Sequence, residues 1–411
     1  MCSSNIPKPG ENAFLVPRIV PIMKIALAIE NFSRHAGGAE AYAVGLAETL
    51  VQEGFDVHLY GHLWDGEPAG ATFHRLRSLP KWIPPSVRLL DFASQHKRMT
   101  ATQRFDVILG FGNTLIMNVY QSHGGVHHTS NIRKLQAVSN PLLRFLKKLA
   151  LLSTPKYHTR AWIESAPFRM KQRPVIIAIS EMVRQDMADY FAINSDEIKL
   201  IYNGIDYAKF STVESGGRNS LREQWGFDKE TLFLFMAYDF RKKGVSYLVE
   251  AAGKLRQDLA AGAFGVVIVG GPPSLHIRRL VKQLKLSDTV VFPGPTTEAE
   301  EAYHACDVFI LPTFYDACSL VVLEAMAAGL PAITTVFNGA AGIITEGRDG
   351  LILKDPRNTD EMGAAMQRFL DRNILRDASA AARLTASNYT IERNHHQMID
   401  VFRNLHSGKN H

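Results

Sequence analysis

The sequence predicts an α/β protein made of two doubly wound parallel domains that face each other across a cleft. Three observations carry this. Short β-rich apolar runs alternate with helical periods along the chain, the signature of doubly wound architecture. The rhythm restarts past residue 206, after a polar, glycine-bearing stretch (DYAKFSTVESGGRNSLR, residues 206–222) suited to a linker. Finally, 411 residues at 46% apolar and 21% charged exceed what one ordinary core organises.

The first half reads as strand 24–29 (KIALAI), a helix from Gly38 to Glu53 stopped by Gly54, and strand 55–62. An irregular stretch follows, then strands 105–112, 118–123 and 175–180, a helix through Phe191, and strand 198–204. The second half reads as strand 231–238, a helix from Val245, strand 265–271, a helix from Ser274, strand 289–294, a short helix, strand 307–313, a helix from Ser319 to Ala328, and strands 331–335 and 349–354. The domains are therefore placed at 23–205 and 206–390, with a final helix at 391–408 crossing back to the first. Residues 1–22 carry four prolines and no periodicity and read as a disordered leader.

Composition narrows the class. There is no apolar run of about 18 residues and no secretory signal pattern, so the chain reads as cytoplasmic. Three cysteines, Cys2, Cys306 and Cys318, stand at no metal-ligand spacing and read as free thiols. The net charge of +6 is mild but uneven: residues 131–173 hold ten Lys or Arg against Glu164 as the one acid. Asn140 and Pro141 start a helix there, with Leu142, Phe145, Leu146, Leu149 and Leu152 at helical spacing and Arg144, Lys147 and Lys148 on the other side. An ordinary amphipathic helix would pack that apolar face on its own domain. The cationic side suits peripheral contact with an anionic membrane at its inner face. Nothing points to nucleic acid.

Ligands of doubly wound domains bind at the carboxyl ends of strands, and the informative stretch is residues 312–335 (PTFYDACSLVVLEAMAAGLPAITT). After strand 307–313 the chain turns through Asp316, Ala317 and Cys318 into a helix with Ser319 as N-cap and Leu320 as first residue. The free amides of that turn suit a diphosphate. Asp316 stands in the loop and Glu324 in the second helical turn, so they do different work: Asp316 meets a sugar, and Glu324 a ribose, whose vicinal hydroxyls one carboxylate can accept together. Glu324 as a local cap or pair is the structural alternative; its apolar neighbours (LVVLEAMA) demand a partner in either case.

An acid, seven residues, then Glu324-Ala-Met-Ala-Ala-Gly-Leu-Pro331 resembles the hallmark of the GT4 retaining glycosyltransferases of the GT-B fold, two Rossmann-like domains. Gly37-Gly38-Ala39-Glu40, Asn203-Gly204-Ile205-Asp206, Lys243-Gly244 and Val269-Gly270-Gly271 extend the likeness over residues 23–405, and YDACSLVVLEAMAAGLP with FNGAA is most similar to the lipopolysaccharide-core glucosyltransferase branch. The first acid departs from the pattern: Asp316 replaces Glu and is one methylene shorter. The resemblance implies that Arg241 and Lys243 grip the diphosphate, with Lys242 left to solvent. It also implies that His123 lies beside the donor sugar, and that the loop with Phe292 and Pro293 meets the base. Gly37 and Gly38 allow close backbone approach to phosphate or acceptor. His127, His128, His395 and His396 read as structural.

No Asp-x-Asp pair or clustered His and carboxylate ligands occur, so no metal and no cofactor is expected beyond the nucleotide diphosphate sugar itself, UDP-glucose first. The expected partners are that donor and a glycolipid or saccharide acceptor. A sugar-nucleotide epimerase or phosphorylase on the same fold, and a catalytically silent sugar-nucleotide-binding protein, are the alternatives.

Overall fold

The computed structural model describes residues 22–35, 37–65, 70–212, 217–227, 231–260 and 262–408. The leader read over residues 1–22 lies outside them apart from Ile22, as do Cys2 and the centre of the linker.

The first half supplies β1 (Lys24–Ala28), β2 (Asn31–Phe32), β3 (Asp56–Gly61), β4 (Leu63–Trp64), β5 (Thr72–Arg75), β6 (Val107–Gly110), β7 (Val119–Ser122), β8 (Val175–Ala178) and β9 (Ile198–Leu200). Seven of these form one sheet in the order β5-β3-β1-β6-β7-β8-β9, and β2 pairs with β4. The second half supplies β10 (Thr231–Ala237), β11 (Phe264–Gly270), β12 (Val290–Gly294), β13 (Val308–Leu311), β14 (Ala332–Thr335) and β15 (Gly350–Leu353), ordered β12-β11-β10-β13-β14-β15. The paired strands run parallel throughout. Helices cover both faces, which is why β1, β10 and β13 read as nearly unbroken apolar runs and not as alternation. In each sheet the order reverses about its first main strand, β1 or β10, and a crevice opens at that switch point. This is the GT-B arrangement.

The chain crosses between the sheets twice, side by side. Ile205 donates its amide to the Tyr389 carbonyl at 3.0 Å and accepts from Ile391 at 2.8 Å. A Cβ on Gly204 would sit 2.2 Å from the Thr390 carbonyl oxygen, so only glycine fits that crossing. The helix Ile391–Gly408 then buries Met398, Ile399 and Phe402 in the core around β1 and the helix Gly38–Gln52. His395 Nδ1 meets the Thr49 hydroxyl at 2.7 Å, and Arg403 pairs with Glu53 at 3.2 Å.

Two expectations fail. The stretch read as irregular between residues 62 and 105 holds β5 and a helix at Pro85–Thr100. That helix buries only Phe92, Ala93, His96 and Thr100, a stripe too narrow to stand out in a polar sequence. The second concerns the helix Pro141–Leu152. Asn140 does cap it, accepting from the Leu143 amide at 3.0 Å, but the helix buries none of its residues. Leu142, Phe145, Leu146 and Leu149 are 68%, 57%, 52% and 50% exposed, so its apolar face points outward instead of packing on the domain. No helix among the described residues is long and apolar enough to cross a membrane.

Candidate functional site

The two sheet switch points meet at a cavity of about 470 Å³. Gly38, Ala39, His123 and Asn203 line it from the first domain. Met236, Ala237, Tyr238, Lys243, Leu311, Asp316, Cys318, Ser319, Leu320, Val321 and Glu324 line it from the second.

Its floor is two interlaced loops. Past β10 the chain turns at Gly244, whose φ of +81° is in the left-handed region and whose Cβ would lie 2.2 Å from the Pro312 carbonyl oxygen. The Phe314 amide donates to the Lys242 carbonyl at 3.1 Å. These contacts hold Lys243 against Asp316, and the two side chains form an ion pair. The Asp316 backbone is pinned in turn: its amide donates to Phe337 at 2.9 Å and its carbonyl accepts from Gly339 at 2.8 Å. Asn338 braces the turn, its side-chain oxygen accepting from Ser319 and Ala340 and its amide donating to Thr334. Ser319 takes the N-cap backbone conformation of the helix Leu320–Ala327, but its side chain caps no amide there.

Glu324 sits in the cavity wall and accepts a hydrogen bond from the Tyr303 hydroxyl at 2.7 Å. Burial raises its pKa, while Tyr303 and the more distant Lys209 act in the opposite direction. The carboxylate thus has the partner that its apolar helix demands. His123 packs tilted against Tyr42 at 4.4 Å and edge-on to Phe111 at 5.3 Å between ring centroids, and its Nε2 is buried without a partner. Burial lowers its pKa to about 3, so the ring is neutral at physiological pH.

The structure therefore gathers Gly38, His123, Lys243, Asp316, Cys318, Ser319, Leu320 and Glu324 around one space. Five other candidates lie off its wall. Arg241 is exposed on the turn after β10. Phe292 packs near Phe240 with Pro293 exposed beside it. Ala317 is buried, its carbonyl accepting from Ser180 at 2.6 Å across the domain junction, and Gly37 faces the Glu40 carboxylate. Lys242, expected in solvent, pairs with Asp239 at 2.6 Å and stays partly exposed.

Sequence reading missed Lys134. It lies over the Tyr315 ring, its ammonium 5.4 Å from the centroid, and its pKa is lowered by burial and by Lys242 and Lys243, with Asp316 acting oppositely. Counting it as one charge in a basic run hid that it faces the Lys243–Asp316 pair. Tyr238, 85% exposed at the end of β10, and Asn203 carried no signal beyond their place next to a strand end or a junction glycine.

Comparison with known proteins agrees with this fold. The profile of Glycosyltransferase Family 4 matches residues 36–209, and that of Glycosyl transferases group 1 matches residues 217–385. The chain belongs to the GT4-type glycosyltransferases. It is 22% identical over 346 residues to the lipopolysaccharide glucosyltransferase WaaG of Escherichia coli K12, covering 84% of this chain and 89% of that protein. It is 24% identical over 383 residues to a D-inositol 3-phosphate glycosyltransferase of Pseudarthrobacter chlorophenolicus, covering 87% of each. The crystal structure of WaaG superposes with a TM-score of 0.73 at 20% identity, over 92% of this chain and 99% of that one. Anabaena HepE in complex with UDP and glucose gives 0.67 at 16% identity, over 93% and 99%.

Because the unfolded pKa of histidine is about 6.5 and that of folded His123 about 3, the unfolded chain binds this proton first and stability falls as pH drops between those values. In ¹³C-histidine NMR the His123 ring signal should stay at its neutral shift from pH 8 to pH 5. A titration midpoint near 6.5 would show that the ring is solvated and not held neutral at the cavity.

Proposed function

We propose that this glycosyltransferase moves a hexose, with glucose from UDP-glucose as the leading donor, onto a hydroxyl of a glycolipid or lipopolysaccharide-core saccharide, and that it retains the anomeric configuration. The observation that carries the reading is Lys243 held against Asp316 in an interdomain cavity beside the first turn of the helix Leu320–Ala327. Lys243 and the helix amides suit a diphosphate; Asp316 suits a sugar hydroxyl and Glu324 the ribose. Arg241 joins them only if its exposed side chain swings inward. Relatives support the donor class: one solved neighbour holds UDP and glucose, and one curated relative is a lipopolysaccharide glucosyltransferase.

In the proposed step the bond from the anomeric carbon to the leaving phosphate oxygen breaks. The acceptor oxygen bonds the same face, and its proton passes to that phosphate oxygen. Neutral His123 offers a hydrogen bond to the sugar and carries no charge into the step. Lys243 stabilises the negative charge growing on the departing diphosphate. No group of three or more His, Cys, Asp or Glu placed to hold a metal occurs among the described residues, and the proposal has cations of the chain doing that work.

Lys243→Ala should lower kcat by on the order of a hundredfold or more, and the wild-type rate should persist in EDTA, both read by UDP release in the presence of acceptor. A change confined to KM, or strict dependence on added Mg²⁺ or Mn²⁺, contradicts the reading. Epimerised sugar or sugar 1-phosphate as the product would favour the epimerase or phosphorylase.

We further propose that the protein works at the inner face of the membrane. The outward Leu142, Phe145, Leu146 and Leu149 beside Lys147 and Lys148 form an amphipathic face suited to anionic lipid. Arg144 is excluded from that role, since its guanidinium bonds the Val138 carbonyl at 2.9 Å and Gln136 at 3.0 Å. Sedimentation with vesicles should be stronger for anionic than for neutral lipid and should weaken in several hundred millimolar salt, where screening shortens to roughly 5 Å or less. Lys147→Gln with Lys148→Gln should reduce it. Equal binding to neutral vesicles, or no effect of the double change, would refute this placement.

A further inference from the structure

A larger cavity, of about 840 Å³, opens on the first domain at the carboxyl ends of β3 and β5 and shares no lining residue with the donor cavity. The loop from β1 to the helix Gly38–Gln52 touches both: it gives Glu30 to this cavity and ends at Gly38, which lines the other. Four cations line the larger one. Arg75 ends β5, Arg77 follows it, Arg88 comes from the helix Pro85–Thr100 and Lys156 from the helix Pro155–Glu164, with Glu30 as the one acidic residue in the lining.

Among the described residues these cations pair with no carboxylate. Among the described residues no salt bridge reaches any of the four side chains, in a protein where Arg133, Arg184, Arg218 and Arg222 all have carboxylate partners. Arg88 Nε is buried with no acceptor. A buried guanidinium donor left unmatched is costly, and like charges gathered around one space repel. Both costs fall when a dianion enters, because guanidinium groups bind phosphate oxygens through paired N–H donors. Leu79 and Leu89 line the same space and give a sugar ring apolar contact.

We propose that this cavity binds a phosphomonoester carried on the acceptor sugar, with Arg88, Arg75, Arg77 and Lys156 as its anion contacts. The assignment rests on the glycosyltransferase reading and extends it to the substrate class of the acceptor. The phosphate has two possible carriers, a soluble sugar phosphate or a phosphorylated glycolipid.

The test is calorimetric titration of the full chain saturated with UDP, so that the diphosphate site is filled. One arm compares glucose 6-phosphate with glucose. The other compares a monophosphorylated glucosamine-disaccharide lipid with its dephosphorylated form, both in neutral detergent micelles. In at least one arm the phosphorylated probe should bind roughly tenfold or more tightly than its neutral counterpart. Arg88→Gln should abolish that preference while UDP affinity stays at the wild-type value, and the arm that responds identifies the carrier. Arg75→Gln, on an exposed side chain, carries the test if Arg88→Gln does not fold. No phosphate preference in either arm, or a preference that survives in the folded variant, overturns the proposal. Failure of the wild-type chain to bind UDP would instead count against the donor reading.

Discussion

The ion pair between Lys243 and Asp316 is the constraint on which the cavity depends, and it exists because two loops of one sheet are laced together. Gly244 turns through a left-handed conformation with no room for a side chain against Pro312, and Phe314 bonds the Lys242 carbonyl. Lys243 follows from that turn. Asp316 is set from the other side by Phe337 and Gly339, with Asn338 beneath. A cation and a carboxylate fixed by backbone contacts need little rearrangement when charge develops, the condition under which electrostatic stabilisation is strongest.

Around that pair, charge is graded by burial. His123, packed on Tyr42 and Phe111, is held neutral, whereas Glu324 has a phenol for a partner and Asp316 an ammonium. Lys134 and Arg133 lie over Tyr315, and the Tyr315 ring fills the space beside Gly125, where an added Cβ would fall 1.7 Å from the phenol oxygen. The domain junction and the cavity are therefore one packing problem, because Tyr315 precedes Asp316 directly.

The fold was legible because buried parallel strands must be apolar on both faces, and runs such as TLFLFMA and FGVVIVG leave little else to read. The helix Pro85–Thr100 was not, since four buried side chains give no strong period. At the site, Asp316 and Glu324 were found through the spacing of one motif, and Lys243 through the wider family resemblance. Arg241, Phe292 and Pro293 came with that resemblance, and Ala317 with the motif, although their side chains do not line the cavity. Lys134 was invisible for the opposite reason: its contact with the Tyr315 ring, which places its charge near the pair, spans more than a hundred residues and is made by tertiary packing alone. The outward face of the helix Pro141–Leu152 has the same lesson, because amphipathic spacing fixes which residues share a face and not what that face meets.

Separating the two members of the ion pair tests the account most directly. UDP and UDP-glucose affinities measured calorimetrically for Lys243→Ala and Asp316→Asn should split. Lys243→Ala should weaken both ligands, whereas Asp316→Asn should leave UDP bound at least as tightly as in the wild type and lose the added affinity for the sugar. If Asp316→Asn weakens UDP as much as Lys243→Ala does, the pair is a brace between loops and the assignment of one to phosphate and the other to sugar is wrong.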